Sequence, residues 1–402
     1  MNITFEKSLP SGTLVCPPSK SYAHRALICG AFSKKSIIRN LSFSEDIKAT
    51  VSCLKVLGAN VEYNDNTVII GGLDKSNIKD GLVLDCNESG STLRFFIPIC
   101  LTFGKKIVLK GSKRLLERPL DEYKKLCENN GFLFETNSDC VIVCGNLKSG
   151  EYIINSEVSS QFVTGMLLAL STIGGKSILK LSGNTESKPY INMTVDTLNR
   201  FGIKTENTDK QIVISGLNET KSIDYTVEGD CSNGAYIESF NFINGSVNVE
   251  GINPKTIQGD YVYKKMFADI QNGIKSFDLK DCPDLGPVMF AVSCLFGGGD
   301  FKGTKRLKYK ECDRSMAMKE ELEKFGVKVY VSDDSVLINP VDIHKPTKTI
   351  LSHNDHRIVM ALSLLCAKYG GTISGAEAVN KSYPDFFSEI SKIKVRFKQN
   401  DA

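Results

Sequence analysis

Tryptophan is absent from the 402 residues, and histidine occurs only four times. With so few imidazoles and no CxxC pair, a structural zinc site has little to build on and no metal is expected. No apolar stretch is long enough to cross a bilayer. The longest, from Phe95 to Phe103, contains Pro98 and falls well short of the roughly 20 residues a span requires. The opening residues, MNITFEKSLP, lack the apolar core of a signal peptide. A large excess of one charge is missing too: 50 basic against 46 acidic residues leave +4. That balance argues against a dedicated nucleic-acid binder, yet suits a small anionic ligand held by a few placed Arg and Lys. These absences give the expectation of a soluble, cytoplasmic protein without nucleic-acid or membrane partners.

Cysteine is plentiful, but thirteen is an odd number and the spacing is irregular, so buried reduced thiols are expected rather than disulfides. Cys140 and Cys144 share one face of the alternating run CVIVC, which is expected to point into a core. Hydrophobic residues at 41% and charged residues at 24% exclude a disordered chain, and the length implies two or three domains.

One pattern recurs six times: a polar turn, an apolar helix-like run, a Gly/Lys-rich turn and a short β-branched strand. Aligned on Ile37, Ile107, Ile178, Val247, Phe301 and Ile373, the copies step by 70, 71, 69, 54 and 72 residues. After most strands comes an amphipathic helix ending at Gly and then a hairpin, as in LKVLGANVEYNDNTVII and ELEKFGVKVYVSDDSVLI. The copy near Met266–Asp278 is degenerate, and the last stops near Ile393. The apolar runs are hydrophobic nearly all round, which predicts helices buried at domain centres. Six units are too many for one core and suit two domains of three.

Each apolar run follows its own polar turn: Pro18-Ser19-Lys20-Ser21, Glu88-Ser89-Gly90-Ser91, Ser159-Ser160-Gln161, Asp230-Cys231-Ser232-Asn233, Pro283-Asp284-Leu285-Gly286 and His353-Asn354-Asp355-His356-Arg357. Ser and Asp there serve as N-caps, but caps do not require the accompanying Lys20, Arg25, Arg94 and Arg357. Cations beside several helix starts make an anion site. Arg114 and Arg118 in KRLLERPL, and Lys310, Glu311, Asp313 and Arg314 in KYKECDR, fit the same picture. Nucleotide and hydrolase motifs fail: GGKS at Gly174 lacks the earlier Gly of a P-loop, GGGDFKG lacks the last Gly of GxGxxG, and GxSxG does not occur.

The runs PPSKSYAHRAL, ESGSTLRF, ERPL, SSQF, SKPYI, VEGDCS, PDLGPVM, KYKECDR, NDHRIVMA and NKSYPDFF appear in the order found in the 3-phosphoshikimate 1-carboxyvinyltransferases. The chain resembles that enolpyruvyl transferase family over essentially its whole length. The resemblance implies an α/β (α+β) fold of two similar domains, each of three βαβαββ-type units with buried parallel helices, and an active site in the interdomain cleft. Residues 1–18 with 229–402 are expected to form a discontinuous domain carrying the acid/base residues and part of the phosphoenolpyruvate site. Residues 19–228 are expected to form an inserted domain carrying most of the shikimate 3-phosphate site.

The same resemblance implies transfer of the enolpyruvyl group of phosphoenolpyruvate to the 5-hydroxyl of shikimate 3-phosphate, by a monomer, without metal or other cofactor. Shikimate 3-phosphate would meet Lys20, Ser21, Arg25, Ser159, Ser160, Gln161 and Ser187, with Asp284 and Lys310 on its ring hydroxyls. Phosphoenolpyruvate would meet Lys20, Gly90, Arg118, Gln161, Arg314, Arg357 and Lys381. Asp284 would accept the hydroxyl proton and Glu311 would protonate C3, although the division of labour among Asp284, Glu311 and Lys20 stays open. The alternative is the related transferase acting on UDP-N-acetylglucosamine. That enzyme typically has Lys-Asn where this chain has Lys20-Ser21, and a reactive Cys near the position of KRLLERPL. Three positions depart from the family pattern: Glu88 stands for Asn, Ser91 for Thr, and Arg306 for an Asn that contacts the sugar ring in some relatives. Gly90 implies room for the inhibitor glyphosate.

Overall fold

The computed structural model describes residues 1–157, 159–184 and 186–400. The backbone divides into two compact units: an inserted unit, Pro18–Glu228, and a split unit, Met1–Pro17 with Gly229–Ala402. No helix among the described residues is long and apolar enough to cross a membrane.

The inserted unit holds α1 (Lys20–Ala31), α2 (Glu45–Val56), α3 (Gly90–Cys100), α4 (Lys113–Leu116), α5 (Asp121–Asn130), α6 (Ser160–Ser171) and α7 (Lys188–Arg200). Three four-stranded sheets accompany them. In one, strand 82–85 runs parallel to 107–110 with α3 crossing between them, and the hairpin 133–136/140–144 completes the sheet antiparallel. Strands 151–155, 175–182, 211–216 and 204–207 repeat the pattern around α6 and α7. The copy built on α1 takes its first strand, 224–226, from the far end of the unit, where Asp224 pairs with Ile37. Ten of twelve residues of α1, ten of eleven of α3 and eleven of twelve of α6 are buried, so these helices are the core and the sheets wrap it.

In the split unit, α8 (Cys231–Glu238), α10 (Gly286–Cys294) and α12 (His356–Tyr369) are the buried helices. The others are α9 (Tyr263–Gln271), α11 (Arg314–Glu323) and α13 (Phe386–Lys392). Strands 276–278, 299–302, 335–340 and 327–331 form a complete copy. The fourth copy does not: strand 246–250 pairs only with 11–15, and no hairpin follows α9. That missing hairpin is why the repeat steps by 54 there. In the last copy, the N-terminal strand 2–5 lies between 371–374 and 397–400, antiparallel to both, in the place of a hairpin strand.

One detail corrects the sequence reading. On strand 140–144, Val141 and Val143 face the core; Cys140 is buried as expected, whereas Cys144 is half-buried. The alternation is present, but the valines take the inner face. Eleven of the thirteen cysteines are buried and none forms a disulfide among the described residues.

Gly165 allows α6 to approach α3 closely. A Cβ there would meet the Tyr123 hydroxyl and lie 2.5 Å from the Arg94 carbonyl oxygen. That same hydroxyl donates to the Arg94 carbonyl at 2.7 Å and the Phe162 carbonyl at 3.2 Å, so it has no room to retreat. Gly165→Ala should therefore destabilise the protein by about 1–3 kcal/mol despite alanine's better helix propensity. A denaturation midpoint equal to or above that of the wild type would show the contact to be looser than this.

Candidate active site

Polar residues gather where the buried helices begin. Ser19, Ser89 and Ser159 cap α1, α3 and α6, accepting from the backbone N–H of Tyr22, Thr92 and Gln161. Asp230 and Asp355 cap α8 and α12 through the N–H of Asn233 and Arg357. A 3₁₀ turn, Pro283–Leu285, leads into α10 and carries Asp284.

Within the inserted unit, side chains tie the helix starts together. Lys20, first residue of α1, places Nζ 2.6 Å from Asp46 Oδ2 on α2. Gln161 accepts from Arg94 Nη1 at 2.7 Å and donates to Ser91 Oγ at 3.1 Å, so α3 and α6 share it. Gly90 lies against Arg118: a Cβ at 90 would fall 2.5 Å from Nη1 and 3.8 Å from Gln161 Oε1. The structure thus brings Gly90, Arg118 and Gln161 to one place, with Ser159 and Ser160 opening the same helix as Gln161. Ser187 stands at the start of α7 with φ 54, a left-handed conformation a serine rarely adopts.

Arg25 turns inward. Its Nε donates to Thr194 Oγ1 (2.8 Å), Nη1 to the Ser21 carbonyl (2.6 Å), and Nη2 to the Tyr190 carbonyl (3.0 Å) and Thr164 Oγ1 (3.3 Å). It is 3% exposed, and burial pushes its pKa down to about 10. The acceptors are neutral oxygens, so the guanidinium fixes the Ser21 and Tyr190 backbones and leaves its charge uncompensated by them.

The split unit is organised around Arg314, whose side chain is 1% exposed. Its Nη1 donates to Asp284 Oδ1 (2.8 Å), Nη2 to Glu311 Oε2 (2.7 Å), and Nε and Nη2 to Asp355 (2.8 and 3.3 Å). Asp284 also receives Lys310 Nζ at 3.0 Å and Arg357 Nη2 at 3.0 Å. Burial pushes the Asp284 carboxyl up, but Arg357, Lys310 and Arg314 together outweigh it and hold the group well below the usual carboxylate range. Burial lowers Lys310 in spite of Asp284. Arg357 lies over the Tyr236 ring, 5.6 Å from its centroid, and Tyr236 Oη donates to the Asp284 carbonyl at 3.1 Å. Unlike Arg314, Arg357 keeps Nε and Nη1 buried without a hydrogen-bond partner among the described residues. Lys381 Nζ donates to the Asn354 carbonyl at 2.5 Å.

Sequence reasoning missed Asp46, Asp355 and Tyr236. Asp46 and Asp355 each look like ordinary first-turn or cap acids, which is how a sequence presents them; only the fold shows Lys20 and Arg314 opposite. Of the departures, Ser91 holds Gln161, and Arg306 donates to the Lys280 carbonyl at 2.8 Å and is 9% exposed. Among the described residues, Glu320, Glu321 and His353 cluster as a metal site might, but Lys324 Nζ at 2.6 Å and the Leu351 N–H at 2.9 Å already occupy Glu321.

Removing the hub tests this arrangement. Arg314→Met leaves Asp284, Glu311 and Asp355 without their shared cation and should cost about 3–5 kcal/mol near pH 7. In the wild type, the depressed Asp284 pKa contributes stability that is lost as pH falls through it. In the variant Arg357 and Lys310 still hold Asp284, so only Arg314's share of that contribution is gone, while Glu311 and Asp355, left crowded, gain by protonation; the deficit should narrow below about pH 4. A deficit independent of pH would contradict the electrostatic account.

The chain as a whole is similar to known proteins. A family model described as EPSP synthase (3-phosphoshikimate 1-carboxyvinyltransferase) matches residues 6–390. A curated 3-phosphoshikimate 1-carboxyvinyltransferase from Clostridium novyi (strain NT) is 36% identical, covering 98% of this chain and 97% of the relative. One from Clostridium acetobutylicum is 37% identical over 95% of each chain. Among solved structures, an EPSP synthase from Acinetobacter baumannii superposes with TM-score 0.81 at 20% identity, covering 100% of both chains. The enolpyruvyl transferase NikO from Streptomyces tendae gives 0.78 at 14%, covering 100% of this chain and 99% of its own. At those identities the two structures speak for the fold alone.

Proposed function

The chain belongs to the EPSP synthase family, and from that membership we propose how its side chains divide the work. The reaction is that of a 3-phosphoshikimate 1-carboxyvinyltransferase: the enolpyruvyl group of phosphoenolpyruvate passes to the 5-hydroxyl of shikimate 3-phosphate and phosphate leaves. It is a step of the shikimate pathway to the aromatic amino acids. Transfer to UDP-N-acetylglucosamine is set aside by the family match and by the names of the curated relatives.

In the inserted unit, Ser21, Ser159, Ser160, Gln161 and Ser187 bind shikimate 3-phosphate, with Arg25 acting by fixing the Ser21 backbone and by its charge. Lys20, Gly90, Arg118 and Gln161 hold phosphoenolpyruvate. In the split unit, Asp284 and Lys310 address the ring hydroxyls, while Arg314, Arg357 and Lys381 address phosphoenolpyruvate. The observation that carries this reading is Asp284 and Glu311 held on one buried guanidinium beside Arg357 and Lys310.

The chemistry needs a proton on C3 of phosphoenolpyruvate, attack by the 5-hydroxyl on C2, and collapse of the tetrahedral adduct with loss of phosphate and a C3 proton. Asp284 takes the hydroxyl proton and Glu311 supplies C3. Gripped by three cations, Asp284 is a poor base. An anion that draws Arg357 towards itself relieves part of that grip, and burial then raises the carboxylate towards a useful basicity. Substrate binding thereby readies the base.

The direct test is phosphate release from phosphoenolpyruvate with and without shikimate 3-phosphate; no release with both present sinks the assignment. Glu311→Gln keeps the shape of the side chain and removes its titration, so turnover should fall by roughly 10²-fold or more with shikimate 3-phosphate affinity nearly unchanged. Turnover like that of the wild type would remove Glu311 from the acid/base role.

Three finer points belong to the same proposal. The protein works as a monomer, and in a reducing, cytoplasmic setting, which its thiols without disulfides support. It is sensitive to glyphosate, because Gly90 leaves space beside Arg118. A methyl group at 90 must displace the Arg118 guanidinium, so Gly90→Ala should raise both the glyphosate concentration for half-inhibition and the KM for phosphoenolpyruvate. Equal inhibition of the two proteins would refute this picture of the pocket.

A further inference from the structure

His24 is 1% exposed, one turn behind Lys20 on α1. Its Nδ1 lies 2.7 Å from Thr50 Oγ1, one turn behind Asp46 on α2. The two helices are therefore joined by two rungs at the same i, i+4 spacing: a charged one, Lys20–Asp46, and a neutral one, His24–Thr50. The neutral rung continues. Thr50 Oγ1 lies 2.7 Å from Thr92 Oγ1 on α3, and Thr92 Oγ1 donates at 2.7 Å to Ser89 Oγ, the cap of α3 immediately before Gly90.

Proton counting gives this chain a direction. A hydroxyl carries one hydrogen. Thr92 spends its own on Ser89, so Thr50 must donate to Thr92. Thr50 then has nothing left for the imidazole, and Nδ1 must carry the hydrogen of the first link. We infer that His24 is a positioning residue: its Nδ1–H heads a one-way chain through Thr50 and Thr92 to the Ser89 cap, which sets the Gly90 end of α3 against the Lys20 end of α1. The ring's other nitrogen, Nε2, has no hydrogen-bond partner among the described residues, as a bare nitrogen facing no donor would leave it. Phe95 meets the ring at 90° with centroids 6.3 Å apart, an apolar neighbour that offers no hydrogen bond. Burial first, then Lys20 and Arg25, push the His24 pKa well below its ordinary value, so the chain keeps one protonation state where an ordinary histidine titrates.

This inference rests on the proposed roles of Lys20 and Gly90 only for its effect on substrate. The direction is read by NMR of the whole protein carrying ¹⁵N-labelled histidine, with the His24 signals assigned by their loss in His24→Asn. Protonated Nδ1 and bare Nε2, unchanged as pH falls through the usual histidine range, is the expected result; protonated Nε2 in the neutral ring overturns the direction. For function, Thr50→Val breaks the chain at its middle without touching a substrate-binding residue. It should raise the KM for phosphoenolpyruvate roughly three- to tenfold, about the worth of one of the two neutral hydrogen bonds it removes, with kcat and the KM for shikimate 3-phosphate near wild type. Thr50→Ser, which keeps the hydroxyl, should restore both the KM and the His24 spectrum. An unchanged KM in Thr50→Val overturns the positioning role. Should Lys20→Met and Gly90→Ala also leave that KM unchanged, the site assignment has failed along with it, and the spectrum still decides the direction. If Thr50→Val does not fold, the wild-type spectrum and the Thr50→Ser kinetics carry the test, and a Thr50→Ser enzyme with altered tautomer but wild-type KM overturns the inference.

Discussion

A helix buried on nearly all sides cannot leave its first-turn N–H groups without acceptors, and this chain buries six such helices. The consequence reaches well beyond local stability. Apolar side chains can fill most of these helices, but the first turn must import oxygen, which five of the six do as Ser19, Ser89, Ser159, Asp230 and Asp355, while α10 starts from the 3₁₀ turn Pro283–Leu285. The positive end of each helix then sits beside polar atoms in a place already prepared for them. Cations and anion-binding residues can be added there with little further disturbance to packing. The active-site chemistry thus follows from a requirement of the fold, and its repetition along the chain gives several such places from one design.

The arginines at those places are held differently in the two units, although Lys20 in the inserted unit has Asp46. In the inserted unit, Arg25 rests on carbonyl and hydroxyl oxygens, and Arg94 on Gln161 and the Pro119 carbonyl. Neutral oxygens orient a guanidinium while leaving its field available to an anion. In the split unit, Arg314 is held by three carboxylates. There the field is largely cancelled, and what remains is geometry: a rigid centre on which acid and base groups are fixed.

Much of this was legible in the sequence because each copy of the repeat carries its own periodicity. The apolar runs, the glycine stops and the Asp65-Asn66 hairpin turn are local signals, and local signals survive without a structure. What stayed hidden depended on pairing across long separations. Strand 224–226 completes the first copy from almost 190 residues away, and strand 2–5 enters the last copy from the opposite end of the chain. The cationic members of the site were conspicuous, since a helix start has no structural need of Arg or Lys. Their carboxylate partners Asp46 and Asp355 were not, because an acid at a helix start is what capping alone would place there. On the CVIVC strand Cys140 is buried as expected, but the core contacts go to Val141 and Val143 and Cys144 is half-buried, since valine and cysteine bury about equally well.

The contrast between Arg314 and Arg357 bears on why a site for anions should contain so many acids. Left alone in a buried pocket, a cluster of guanidinium and ammonium groups would repel and lose hydration. Carboxylates offset that and hold the cations in place, but any anionic substrate must then compete with them. Arg314 is a poor place for that competition. Losing Asp284 would still leave it gripped by Asp355 and Glu311. Arg357 differs, holding one carboxylate through Nη2 beside the Tyr236 ring, while Nε and Nη1 have no hydrogen-bond partner among the described residues. Such donors are a stability cost in the unliganded protein and a gain when an oxyanion supplies the missing acceptors. On the proposed assignment, Arg357 is thus the group through which a bound anion would act on Asp284, exchanging one carboxylate for another and loosening the proposed base as the substrate arrives.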